Sequence, residues 1–495
     1  MISRRSWIAG AGASALSAAG RKPNFLFLIA DDHAGYVLGS DGNRLAQTPN
    51  LDRLASEGTR FASHYCNSPV CTPSRQSFFT GPMPSAAGVT VLKTSLDENK
   101  PTLAKQLRGA GYRTGVIGKM HFNRPSKPGL HGFDFMMTEQ DVARAWGQSV
   151  TPKALPDGTK VKPPWRPFKD PASIWLNSEK LPFARYYDDM RGTFIARQGT
   201  KFLQEHKDDP FALWVSFQEP HSPYDFPLED RDRFDPARFE VPRVGSEDRW
   251  QIPLIFRDLS DQQKRGIIAA YYTSVAFLDR NIGVVLDELR RLNLENDTYV
   301  VYIADHGYCL GQHGRFEKHC GYDAALRVPL MMRWPGRIKR GVVRDYTESI
   351  DVSATILDML GVDRLTVQHG SSLRPYLEGG RPKQRREHIV SQYLENEEVF
   401  VRTGDRKLIF CSGKRTRTDG YETDNPTPGR YVRLYDLKND PGEFTDIAKK
   451  EPETVKRLAA KALERFEATH PEASQRPKGL STEESLEFFL RPRDA

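Results

Sequence analysis

The chain has 495 residues, 38% hydrophobic and 27% charged, with a formal net charge of +8. That length allows a large core plus a smaller appended unit, and that balance excludes a disordered chain. No apolar run approaches the roughly 20 residues that cross a bilayer, and no nucleic-acid-binding motif accompanies the modest positive charge, so neither a membrane span nor a nucleic-acid partner is expected.

Residues 1–20 read as an export segment. Ser3-Arg4-Arg5-Ser6-Trp7 precedes the small-residue run IAGAGASALSAA, the pattern of a bacterial twin-arginine signal, although Trp7-Ile8 stands where such signals prefer Phe-Leu. The expected location is therefore the periplasm. NFLFLIA (24–30) is a continuous apolar run of the kind found in a fully buried parallel strand, and it stops at Asp31-Asp32. TPNLDRLASEG (48–58) and PTLAKQLRGAGY (101–112) read as helices with Pro at the start and Gly at the end. TGVIGKMH (114–121) and FALWVSF (211–217) read as buried strands, the second running into Gln218-Glu219-Pro220-His221. The segment 260–294 carries one apolar helical face, TYVVYIA (298–304) ends at Asp305-His306-Gly307, and VPLMMRW (328–334) and IDVSATILDMLG (350–361) continue the alternation.

Strands alternating with helices predict an α/β fold with a large, mostly parallel sheet sandwiched by helices over 21–375. From about 376 the texture changes to short strands separated by Gly, Asp and Asn turns, followed by a helix at 451–466. This predicts a smaller C-terminal subdomain, 376–470, with an antiparallel sheet plus helix, and a surface tail over 471–495. Four polar clusters follow strands 24–30, 114–118, 211–217 and 298–304, which would gather them on the sheet edge where α/β folds bind ligands.

Asp31, Asp32 and Asp305 would repel one another unless a cation sits among them, and hard oxygen donors favour calcium or magnesium, with His306 adding a nitrogen. Arg75, Lys119 and Lys318, with His121 and His221, would form an anion receptor on the same rim: Arg grips a tetrahedral oxyanion through two hydrogen bonds, and Lys serves as a point charge. Basic clusters at 381–388 and 402–417 suit either a solvated face or a rim for an anionic substrate. The five cysteines, Cys66, Cys71, Cys309, Cys320 and Cys411, fit neither a zinc motif nor a dense disulfide framework. They read as buried thiols, with pairing of Cys309 and Cys320 left open.

The run NSPVCTPSRQSFFTG contains Cys71-Thr72-Pro73-Ser74-Arg75 and ends in Thr80-Gly81. With NFLFLIADD, GKMHF, PHSPY, IADHGYCLGQHGRFEK and VPLMMRWPG, it resembles the type I sulfatases of the alkaline-phosphatase superfamily. The resemblance has features of the iduronate-2-sulfatase-like and choline-sulfatase-like branches, which share His at the position of His306. It implies that Cys71 is oxidised to formylglycine by a formylglycine-generating enzyme. The hydrate would attack sulfur, giving a sulfated enzyme intermediate that His121 helps to resolve. It further implies that Asp31, Asp32, Asp305, His306 and the Cys71-derived oxygen hold Ca2+, with Mg2+ or Mn2+ as alternatives. Arg75 would orient the hydrate, Lys119 and Lys318 would hold sulfate oxygens, and His221 would protonate the leaving group. Gln218, Glu219, Tyr224, Asp225, His313 and Arg315 are candidates for contacting the organic part of the substrate.

The expected activity is hydrolysis of a sulfate ester, either of a sulfated carbohydrate or of a small molecule such as choline sulfate. A phosphonate monoester or phosphodiester hydrolase is the chemical alternative, disfavoured by Asp32, which such relatives commonly lack. A polyanion-binding protein with an unoxidised Cys71 is the non-enzymatic alternative.

Overall fold

Asn24–Asp31 shows how this sequence builds a two-sided core. All eight residues are buried, and the two-residue period of a strand sends Phe25, Phe27 and Ile29 into one apolar layer and Leu26, Leu28 and Ala30 into the other. Thr298–Ala304 repeats the division, with Tyr299, Val301 and Ile303 on one face and Val300, Tyr302 and Ala304 on the other. The computed structural model describes residues 22–161, 176–413, 423 and 430–494. The export segment and residues 414–417 of the second basic cluster lie outside this set.

In chain order the strands of the first part are β1 (Asn24–Asp31), β2 (Thr59–Phe61), β3 (His64–Tyr65), β4 (Arg113–Gly118), β5 (Phe135–Met137), β6 (Phe211–Pro220), β7 (Thr298–Ala304), β8 (Leu330–Arg333), β9 (Gly341–Val343) and β10 (Thr347–Glu348). Eight of them form one sheet in the order β5-β4-β6-β1-β7-β8-β2-β9, while β3 and β10 pair separately. The sheet is parallel from β5 to β7, and β8 alone runs antiparallel to its neighbours β7 and β2. The central strands β4, β6, β1 and β7 therefore all end on one rim.

Helices cover both faces. The longest, Asp261–Arg291, opens with a reciprocal cap: the Ser260 hydroxyl accepts the Gln263 N–H at 3.2 Å and the Gln263 side chain accepts the Ser260 N–H at 2.9 Å. Asp279 on this helix accepts the N–H groups of Asn50 and Leu51, which start the helix Pro49–Glu57. Among the described residues no helix is long and apolar enough to cross a membrane.

A second sheet is antiparallel throughout: β11 (Ile389–Tyr393), β12 (Glu398–Arg402), β13 (Arg406–Cys411) and β14 (Tyr431–Asp436). The helix Pro452–Thr469 packs on it through Leu458, Ala462 and Phe466. The chain beyond 471 differs from the surface tail expected. Thr482–Phe489 is a helix that buries Leu486, Phe489 and Leu490 in the same layer, with Phe489 stacked on Phe466 at 5.4 Å. The Ser481/Glu484 capping box followed by an apolar run is the sequence signal for it.

Candidate active site

Cys71 opens the helix Cys71–Thr80, all ten residues of which are buried. Its Sγ lies 3.5 Å from Asp31 Oδ1 and 3.0 Å from His306 Nε2. Burial, and next the negative charge of Asp31, push its thiol up, so it is neutral at physiological pH. One turn along the same helix face, Arg75 projects beneath it. The Arg75 guanidinium, fully buried, meets Asp305 Oδ2 at 2.6 Å through Nε and Asp31 Oδ2 at 3.4 Å through Nη2. Its Nη1 donates to Ser216 Oγ at 2.9 Å and to the Lys119 carbonyl. The i, i+4 spacing of Cys71 and Arg75 thus puts a fixed cation below the reactive position.

The ends of β1 and β7 supply the acids. Asp31 pairs with Lys119 Nζ. Burial raises the Asp31 carboxyl, but the cations Lys119, Arg75 and Lys318 outweigh it and hold it well below the usual range. Asp32, in the left-handed region at φ 66°, meets Lys318 Nζ at 3.1 Å and His306 Nδ1 at 3.1 Å. Its carboxyl is raised because burial exceeds the help from Lys318 and His306.

Asp31, Asp32, Cys71 and His306 each offer a donor atom, and the four atoms lie within 4.8 Å of one another. Asp31 Oδ2 and Asp32 Oδ1 have no partner in hydrogen-bond geometry although both are buried. Both oxygens are held instead by ion pairs, Asp31 Oδ2 with Arg75 and Lys119 and Asp32 Oδ1 with Lys318 and His306, and two such hard carboxylate donors beside an imidazole fit a divalent cation. Asp305, also expected among the ligands, borders this cluster, its Oδ1 3.6 Å from His306 Nε2. Its Oδ2 is taken by Arg75 Nε, and its Oδ1 accepts the N–H groups of Asp32 at 3.2 Å and His306 at 2.9 Å. It stands beside the four donors and fixes the backbone that carries two of them.

Lys119 and His121 arrive by a turn and not by the strand expected to run to 121. β4 stops at Gly118, whose φ is +100°, and a Cβ there would lie 1.8 Å from the Ser216 carbonyl oxygen. His121 is also left-handed, at φ 53°. Glu139 Oε1 stabilises this turn by accepting the N–H groups of Met120 at 3.0 Å and His121 at 2.6 Å. His121 is half-buried, and its Nδ1, shielded from solvent, has no partner. Burial first and the nearby cations next hold its pKa well below the ordinary value, so it is a neutral imidazole.

His221 follows β6. Its Nδ1 lies 2.7 Å from the Ser222 carbonyl oxygen, which makes Nδ1 the protonated nitrogen and leaves Nε2, 3.9 Å from Asp32 Oδ2, facing the cluster. Burial, then Lys119 and Lys318, keep it neutral as well.

The substrate candidates are held in other interactions. Tyr224 is fully buried, donates to Tyr308 Oη at 2.7 Å and packs edge-on against Tyr271. His313 stacks on Tyr322 with ring centroids 3.5 Å apart and meets Asp248 at 3.0 Å. Arg315 is buried against Glu317 and the Gln251 carbonyl. Gln218 accepts from Arg191. Glu219 is buried, and burial raises its carboxyl to about 7. Tyr224, His313, Arg315 and Gln218 thus have their polar groups engaged by other side chains or backbone.

Several positioning residues carried no sequence signal: Ser216 and Glu139 as described, Ser74, whose hydroxyl donates to the Asp305 carbonyl at 2.5 Å, and Tyr271, which donates to the Asp32 carbonyl and accepts from Ala34 N–H at 2.9 Å. Ser216, Ser74 and Tyr271 act across more than 90 residues of sequence, and Glu139 across 18 and 19.

The family profile described as Sulfatase matches residues 23–362. The chain belongs to the sulfatase family. It is accordingly a sulfuric ester hydrolase of the alkaline-phosphatase-like type. A second profile, N-sulphoglucosamine sulphohydrolase, C-terminal, matches residues 311–469. Among curated sulfatases, the chain is 28% identical over 471 residues to choline-sulfatase of Rhizobium meliloti, covering 91% of this chain and 87% of that one. It is also 28% identical over 506 residues to N-acetylglucosamine-6-O-sulfatase of Bacteroides thetaiotaomicron, covering 88% and 86%. In fold it is similar to the phosphonate monoester hydrolase of Agrobacterium radiobacter (TM-score 0.75, 22% identity, 92% of this chain and 97% of that one). A structure solved with its substrate D-glucosamine-2-N,6-O-disulfate is also similar (TM-score 0.71, 22% identity, 91% and 99%).

Proposed function

We propose that this sulfatase removes sulfate from a sulfated carbohydrate in the bacterial periplasm, after a formylglycine-generating enzyme has oxidised Cys71. The observation that carries the chemistry is the meeting of Cys71 with Asp31, Asp32 and His306, four donors within 4.8 Å, inside a ring of buried cations. Support for a sugar comes from the profile match over residues 311–469 and the likeness to a hexosamine sulfatase.

Asp31, Asp32 and His306 would hold calcium together with the oxygen that replaces Cys71 Sγ, and Asp305 would keep Asp32 and His306 in place. Calcium would neutralise charge beside the reacting oxygen, and the hydrated aldehyde would supply the nucleophile. The rest falls to the side chains. Arg75, anchored by Asp305 and Ser216, orients the residue at position 71. Lys119 and Lys318, which pair with Asp31 and Asp32 beside position 71, supply positive charge to the sulfate oxygens. His121, neutral and with a bare Nδ1, accepts a proton. His221 is kept neutral by burial and by Lys119 and Lys318. An anionic ester between those lysines offsets their field, so that Nε2 carries a proton to the leaving alkoxide while Nδ1 stays bonded to Ser222.

The test is peptide mass spectrometry across Cys71 combined with parallel assays on sulfated monosaccharides, sulfated oligosaccharides, choline sulfate and a phosphonate monoester. Formylglycine with fastest turnover on a sulfated sugar is expected. Choline sulfate as the best substrate would overturn the sugar assignment, and an unmodified thiol in fully active enzyme would overturn the mechanism.

A further inference from the structure

The far edge of the main sheet carries a recess of about 400 Å³ formed by β9, the loops flanking it and the segment 376–381. Lys339, Arg340, Arg344 and Arg381 line it, and all four are exposed. Among the described residues none of them has a carboxylate within ion-pair distance. The single acid in the lining, Asp345, is already engaged by Arg385 at 3.7 Å and by the Tyr376 hydroxyl at 2.9 Å. Like charges gathered in a concave site reinforce one another's potential and draw in anions. Arg386, from the same basic run as Arg381, is by contrast consumed by Glu348 and Asp351. The recess also offers apolar surface, since Val342 is 48% exposed between Arg340 and Arg344.

Topology relates this recess to the active site. β9 is parallel to β2, and β2 and β7 each run antiparallel to β8, so β9 and β7 point the same way. Arg344, just past the end of β9, therefore lies toward the rim that carries Asp305. Three strand spacings separate β9 from β7, about 14 Å across the sheet. That is a reach for a chain of sugars and too far for one sulfate ester to touch both.

We propose that this recess is a second binding site that holds a polyanionic, sulfated stretch of glycan while another part of the same chain lies at Cys71. The inference rests on the reading of the substrate as a sulfated carbohydrate. Four converging cations ask for several negative groups on one ligand, and exposed apolar surface between the charges suits the face of a sugar ring. The contacts are exposed, so binding is salt-sensitive.

The experiment compares the matured enzyme with the triple variant R340Q/R344Q/R381Q, using a fluorescent heparin octasaccharide for binding and an aryl sulfate for basal turnover. A control variant, K449Q/K450Q, removes exposed positive charge elsewhere. At 0.1 M salt the triple variant is expected to bind the octasaccharide at least about tenfold more weakly with a shallower salt dependence, with aryl sulfate turnover and thermal melting unchanged. Equal binding by wild type and triple variant would overturn the proposal, as would equal weakening in the control or equally tight, equally affected binding of duplex DNA. If the triple variant loses binding but the wild type releases sulfate from no sugar, the binding site stands and the carbohydrate reading of the catalytic site falls.

Discussion

Two buried ion clusters in this molecule look alike in composition and differ in completeness. At the catalytic rim Asp31, Asp32 and Asp305 face Arg75, Lys119 and Lys318. Between the main sheet and the C-terminal region, Glu348 and Asp351 face Arg386 and Arg465. In the second cluster every carboxylate oxygen has a donor: Glu348 takes Val390 N–H at 3.0 Å, Arg386 at 2.8 Å and Arg465 at 2.9 Å, and Asp351 takes the Ser371 and Glu348 N–H groups as well as Arg386. At the rim, Asp31 Oδ2 and Asp32 Oδ1 are held by ion pairs, chiefly to the flexible Lys119 and Lys318, outside hydrogen-bond geometry, and His121 Nδ1 has no partner. A saturated cluster has nothing left to give a ligand and serves to join two parts of the fold. A cluster whose carboxylates rest on movable lysines can release those charges to a ligand.

This contrast can be broken by substitution. The largest effect is expected at the nucleophile: Cys71→Ala should lower kcat by on the order of 10^4–10^6-fold with sulfate ester binding retained, measured by turnover and by calorimetry. His221→Asn should cost roughly 10²–10⁴-fold, concentrated on esters with poor leaving groups, so an equal loss on an activated aryl sulfate would remove its role as proton donor. In the joining cluster Arg386→Ala leaves Glu348 and Asp351 short of a partner and should destabilise by about 3–5 kcal/mol, read as a lowered melting temperature.

The same cluster sharpens the comparison through pH. Burial would raise the Glu348 carboxyl, but Arg386 and Arg465 outweigh it and hold it at about 2, below its ordinary 4.5. Its stabilisation is therefore fully present above 4.5 and is lost as pH falls from there toward 2. Melting temperature followed across that range should fall in wild type and fall less in Arg386→Ala. The smallest effect is expected at Asp305→Asn. Because Asp305 positions Asp32, His306 and Arg75, metal affinity should drop about 10–100-fold, with position 71 still oxidised. An unchanged metal content and rate would show that the backbone holds these residues without it.

The types of residue at the rim were legible in the sequence because they follow apolar runs, and a run buried on both faces can only end where the sheet ends. That logic covers Asp31, Asp32, His221, Asp305 and His306. It did not reach the orientation of the side chains. Asp305 turns toward Arg75 because Oδ1 is claimed by two backbone N–H groups, which no spacing reveals. Tyr224, His313 and Arg315 are close to motif residues in the chain, yet each finds a buried partner from a distant segment. The helix Thr482–Phe489 was announced by its capping box and still read as tail, because its apolar face gains meaning only once Phe466 is there to cover it.

The sequence by itself determined the alternation of buried strands and helices, the placing of Arg75 one helical turn from Cys71, and the supply of acids, cations and histidines at strand ends. These are local properties, set by side-chain period, helix spacing and the cost of burying polar backbone. Only the tertiary structure decided which carboxylate oxygens rest on movable lysines, which histidine nitrogen faces the site and which arginines remain free at the sheet edge. Those outcomes depend on partners tens to hundreds of residues away, and a hydrogen bond made or missed across that distance leaves no periodic trace in the chain.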